Sequence, residues 1–82
     1  MTEEQKTEYE HWLKCIGKVV SSYRRQLGIT QREAAKKAKL NLKFYQDIEY
    51  GRRPVTTRTM FQLCKGMGIP VPFSEAIKLI CV

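Results

Sequence analysis

No stretch of this chain is apolar for anything like the roughly 18 residues that a membrane-spanning helix requires. The opening Met1-Thr2-Glu3-Glu4 is polar and acidic, where a secretory signal would begin with basic residues and an apolar run, so a cytoplasmic location and no membrane partner are expected. There is one histidine, His11, and the three cysteines, Cys15, Cys64 and Cys81, are too scattered for a zinc motif. No metal is expected, and an odd number of thiols in a cytosolic chain reads as small hydrophobes kept reduced. No glycine-rich loop is present to cradle a phosphate, and His11 has no evident nucleophile or acid partner; neither an enzyme nor a cofactor is expected. Val and Ile never alternate with polar residues around hairpin turns, so strands are not expected. Internal repeats and low-complexity segments are also missing.

What is present fits one small soluble domain. The chain has 82 residues, 43% of them hydrophobic and 28% charged, enough for a single modest core but not for two. Its formal net charge is +7, and the distribution of that charge is uneven. Residues 1–10 hold four Glu and one Lys, a net of −3, so residues 11–82 carry +10. A positive potential of that density draws in polyanions, nucleic acid among them.

The pattern is helical from end to end. Thr2-Glu3-Glu4-Gln5 fits a capping box, and Trp12, Ile16, Val19, Val20, Tyr23 and Leu27 recur at helical spacing behind it. Residues 1–10 are thus an acidic arm or the start of this first helix, with Gly17 offering a place for close approach and Gly28 a stop. Thr30-Gln31-Arg32-Glu33 is a second capping box, opening a short helix to about Ala38 whose Ala34, Ala35 and Ala38 suit close packing. Asn41 is a good N-cap for a third helix ending at Gly51, with Tyr45 and Ile48 on its buried face. Thr56 caps a fourth helix with Met60, Leu63, Cys64 and Met67 facing inward, closed by Gly68. Beyond the extended Ile69-Pro70-Val71-Pro72, Ser74 and Glu75 open a fifth bearing Ile77, Leu79, Ile80 and Cys81.

Two short capped helices joined by three or four residues make a helix-turn-helix pattern. The segment Thr30–Gly51 resembles the Cro/repressor-type (Xre-type) helix-turn-helix family, which shows a Thr-Gln opening, an alanine in the first helix and an Ile-Glu-x-Gly ending. All three occur in register, as Thr30-Gln31, the alanines of the first helix, and Ile48-Glu49-Tyr50-Gly51. Arg24, Arg52-Arg53, Leu63, Gly68 and Ile69 fall where the family has matching residue types, so the resemblance covers roughly Val20 to Ile69. It implies an all-α, compact bundle of about five helices of the lambda-repressor type, spanning residues 1–82 as a single domain. Two positions depart from the family. Lys39 stands where the turn usually has Gly, which imposes strain if that residue is left-handed. Tyr45 replaces an aliphatic core residue, and its hydroxyl must find a partner or the surface.

The family's mechanism follows from the major groove, about 12 Å wide, which admits one helix and presents base edges to its N-terminal side chains. On the helix from Asn41, Lys43 could donate to guanine and Gln46 could pair with adenine. Leu42 or Phe44 could pack on a thymine methyl, and Asp47 could accept from cytosine. Gln31, at a helix N-terminus, is expected to meet backbone phosphate and to brace the reading helix, with Arg32, Asn41, Arg52 and Arg53 as further phosphate contacts. A solvated surface is the bland alternative for each. The resemblance also implies that Arg24 and Glu49 form a largely buried, structural ion pair. The apolar face of residues 72–82, chiefly Phe73, Ile77 and Ile80, either caps the core or forms a homodimer interface that spaces two reading helices ~34 Å apart on a palindromic site. The expected function is a sequence-specific regulator binding double-stranded DNA, a repressor acting by occupancy. The alternative is an interaction or adaptor module, for example antitoxin-like with a toxin as its protein partner, using the acidic arm and apolar C-terminus. RNA is a weaker reading, because nothing resembles the aromatic platforms that bind single strands.

Overall fold

A computed structural model of the chain describes residues 1–69. These form four helices and no strand: α1 (Glu3–Leu27), α2 (Gln31–Lys37), α3 (Leu42–Glu49) and α4 (Thr57–Met67). Among the described residues the helices number four; the fifth expected helix and the candidate dimer residues Phe73, Ile77 and Ile80 lie outside them.

Each helix begins where a side chain can accept from its orphan N–H groups. The Gln5 N–H donates to Thr2 Oγ1 at 3.2 Å and Thr2 N–H donates back to Gln5 Oε1 at 3.1 Å. Thr30 and Glu33 repeat that reciprocal box on α2. Asn41 Oδ1 accepts from the N–H groups of Lys43 (2.9 Å) and Phe44 (3.3 Å), and Thr56 Oγ1 accepts from Thr59 N–H at 3.1 Å. The acidic residues 3–10 are therefore the first turns of α1. Glu3 and Glu4 at its start and Arg24 and Arg25 at its end oppose the helix dipole.

The core gathers Val20 of α1, Ala34, Ala35 and Ala38, Tyr45 and Ile48 of α3, Leu63 and Met67 of α4, and Ile69. The packed face of α1 holds only half of the apolar stripe expected from periodicity: Val20 is buried, and Ile16 and Tyr23 pack against the core. Trp12 is 66% exposed, and Val19 and Leu27 are also exposed, while Gly17, Val20 and Ser21 are buried. The reason is steric. Gly17 is the only residue of α1 without a side chain, and the end of α3 comes closest there. A Cβ on Gly17 would fall 2.6 Å from the Ile48 carbonyl oxygen and nearer still to that of Glu49. Gly66 does the same for α4 against α2, where an added Cβ would lie 2.7 Å from Ala38 Cα.

Between α2 and α3, Lys39 adopts φ 56°. It carries left-handed strain that a glycine would avoid, at a cost of about 1–2 kcal/mol. Leu40 N–H then donates to Ala35 O at 2.8 Å, closing the turn and setting Asn41 in place to cap α3.

Candidate nucleic-acid interface

The end of α3 and the turn after it are built around one polar network. Arg24 of α1 donates from Nε to Glu49 Oε2 at 2.7 Å and from Nη2 to Oε1 at 3.3 Å, and its Nη1 donates to the Ile29 carbonyl at 3.0 Å. The fork leaves the Arg24 side chain 16% and the Glu49 side chain 4% exposed. Burial alone would push the Glu49 carboxyl up, but hydrogen bonds from Arg24, with Tyr45 and Gln31 beside it, hold it below the ordinary carboxylate range. The hydrogen bond to Glu49 raises the Arg24 guanidinium in turn, against the opposing effect of burial.

Gln31 is the hub that joins α2 to α3. Its Nε2 donates to Glu49 Oε1 at 3.1 Å and to the Tyr50 hydroxyl at 3.4 Å, while its Oε1 accepts from Gln46 Nε2 at 3.2 Å. The first residue of α2 therefore fixes the azimuth of α3, and the half-buried Gln46 gives one amide N–H to Gln31. Behind them Tyr45 is wholly buried, with its hydroxyl 4.0 Å from Met67 Sδ. Burial, with the Glu49 charge nearby, pushes its phenol well above the usual range, so it stays neutral.

Lys43 is exposed near the start of α3, and its Nζ donates to Asp47 Oδ1 at 2.9 Å one turn on. Lys43 holds the Asp47 carboxyl below its ordinary range, with Arg53 and Arg52 adding to the effect. Leu42 and Phe44 are half-buried and pack on the core cluster, so their outer edges alone are open. Asn41 spends its side-chain oxygen on the cap. Arg32 is exposed on α2.

The basic turn is anchored by aromatic rings. The Arg53 guanidinium lies 4.4 Å from the centroid of Phe44, and that of Arg52 lies 5.1 Å from Tyr50. Such cation–π contacts hold two otherwise floppy side chains against α3, Arg53 near its start and Arg52 at its end. Phe44 is thus a platform for Arg53 as well as a candidate for a thymine methyl. Tyr50 is a member of the site that the sequence pattern did not single out. Its signal was an aromatic residue standing two positions before the Arg52-Arg53 pair. The face opposite this site carries no comparable network among the described residues. His11 Nε2 and Cys15 Sγ lie 3.5 Å apart, both exposed on α1.

The arrangement is a capped helix N-terminus displaying Lys43, flanked by Arg52, Arg53 and Gln31 and held by a buried ion pair. It can present donors to a groove and its rims. No helix among the described residues is long and apolar enough to cross a membrane. The family described as Helix-turn-helix matches residues 20–73, which is most of the chain. The protein belongs to this Xre/Cro-type family of DNA-binding transcription regulators. Among solved structures it is similar to the restriction-modification controller protein C.Esp1396I, determined as a tyrosine-to-phenylalanine mutant. The two share 28% identity and a TM-score of 0.69, over 84% of this chain and 90% of that one. No curated protein sequence matches the chain.

Proposed function

We propose that the protein is a sequence-specific repressor that binds as a homodimer to a palindromic operator and excludes polymerase by occupancy. The observation that carries the reading is the mounting of α3. Its N-terminal face is capped, open and basic, while its opposite face is fixed by the Arg24–Glu49–Gln31 network. Rigid presentation of a few side chains to base edges is what discrimination between sequences requires. Lys43 and Asp47 are proposed as base readers, with the exposed edges of Leu42 and Phe44 beside them. Gln46 spends one amide N–H on Gln31 and keeps its second N–H and its Oε1 for a base. Gln31, Arg32, Asn41, Arg52 and Arg53 are assigned to phosphate, where they set register and affinity without specifying bases.

Homodimerisation is argued from energetics: one small domain supplies too few contacts for tight specific binding, and two related by a two-fold axis double them. Phe73, Ile77 and Ile80 remain the residues assigned to that interface. The likeness to a restriction-modification controller protein makes genes of a restriction-modification set the first place to search for an operator.

A second reading is favoured by one observation. The first turns of α1 stand clear of the core, acidic and bearing the exposed Tyr9 and Trp12, which is a surface suited to a basic protein partner. Selection of a random duplex library on the purified protein near physiological salt separates the two. A palindromic motif is the expected result; enrichment without a motif leaves a non-specific binder, and no enrichment moves the protein-partner reading to the front.

A further inference from the structure

A cleft of about 610 Å3 opens beside the reading helix, between Lys18, Arg24 and Arg25 of α1 on one wall and Gln31, Glu49 and Tyr50 on the other. Its charges do not cancel. Arg24 and Glu49 neutralise each other, and both Glu49 oxygens are already occupied, Oε2 by Arg24 and Oε1 by Arg24 and Gln31. Lys18 and Arg25 lie two turns apart on one face of α1, and neither forms an ion pair among the described residues. The Tyr50 hydroxyl accepts from Gln31 Nε2, so its own O–H is left to donate elsewhere. The cleft therefore offers two unpaired cations and a hydroxyl donor, and no free carboxylate acceptor.

We propose that this cleft holds a phosphodiester group of the bound duplex, gripped by Lys18 and Arg25 and oriented by the Tyr50 hydroxyl. The site extends the interface from α3 onto α1. It adjoins the basic turn, because Gly51 packs against the backbone of Lys14, one turn before Lys18. Arg52, held over the same Tyr50 ring, continues the positive ridge. A strand running past Gln31 and this turn thus meets cations on both sides of Tyr50. The proposal rests on the DNA-binding reading and adds two residues that neither the helix-turn-helix segment nor its flanking turn contains.

The test is the salt dependence of binding to a selected duplex, compared between the wild-type chain and the double variant K18Q/R25Q. Both residues are exposed, so thermal melting is expected to be unchanged and to verify the fold. The slope of log K against log salt is expected to become shallower by about 0.9 for the one phosphate no longer neutralised at each copy of the site. Affinity for every duplex should fall by a common factor, with base preference intact. A double variant that keeps the wild-type slope overturns the proposal and leaves DNA binding standing. A shift in base preference overturns it too, since phosphate contacts carry no sequence information. Failure of the wild-type chain to bind any duplex at low salt overturns the DNA-binding reading as well as the site.

Discussion

Glu49 lies at the centre of the polar network, and its behaviour follows from what surrounds it. Three hydrogen bonds reach its two oxygens from Arg24 and Gln31, and it is almost wholly buried. Truncation to alanine leaves the Arg24 guanidinium charged and unpaired in the same site. The expected cost is about 3–5 kcal/mol, measured by urea unfolding; a loss below about 1 kcal/mol would place the pair in the class of exposed bridges. The pH dependence has a definite sign. Glu49 is held below its ordinary range in the folded chain, so its stabilisation is complete above the unfolded value of about 4.3. It is lost as pH falls through the folded value. Urea midpoints for Glu49→Gln should therefore flatten on the acid side relative to wild type. Lys39 is the opposite kind of residue, strained where Glu49 is satisfied. With φ at 56°, Lys39→Gly removes the left-handed penalty but adds unfolded-state entropy, for a net gain of about 0.5–1 kcal/mol. Unchanged or reduced stability in a thermal melt would show that the turn is held without strain.

At the scale of elements, helix boundaries were legible and helix faces were only partly so. Thr2, Thr30, Asn41 and Thr56 are each a local signal, since a cap depends on residues within one turn of itself, and each stands where its helix begins. The facing of α2 and α3 was also readable, because alanines and the Tyr45/Ile48 pair are unambiguous. On α1 half of the large apolar residues misled, since Ile16, Val20 and Tyr23 pack on the core but Trp12, Val19 and Leu27 do not. Where two helices meet through glycine and serine, the closest approach moves to the small residues and leaves Trp12 and Val19 outside it. Gly17→Ala tests this directly. Its methyl would collide with backbone carbonyls at the end of α3, costing about 1–3 kcal/mol through overpacking, whereas an open position would gain from the better helix former. The candidate site divides in the same way. Residues on one short segment, such as Lys43 and the Arg52–Arg53 turn, could be picked out in order along the chain. The cleft formed by Lys18 and Arg25 with Tyr50 could not, because it exists only once α1 is laid across the end of α3.

The whole molecule is polar in the electrical sense. The net −3 of residues 1–10 belongs to the first turns of α1, while +10 is spread over the remainder. The acidic turns stand clear of the core, and the basic ridge from α1 through the Gly51–Arg53 turn flanks α3. A polyanion approaching such a particle is steered toward the ridge, which orients encounter before any base is read. Base discrimination is then left to the few exposed side chains at the start of α3. The most direct measurement is an amide chemical-shift titration of the 15N-labelled chain with a duplex carrying the selected site. The expected result is large shifts at Asn41–Phe44 of α3, at Gln31 and through Gly51–Arg53, with the first turns of α1 unmoved. Shifts confined to Glu3–Trp12, with the start of α3 silent, would contradict the assignment of α3 as the reading helix.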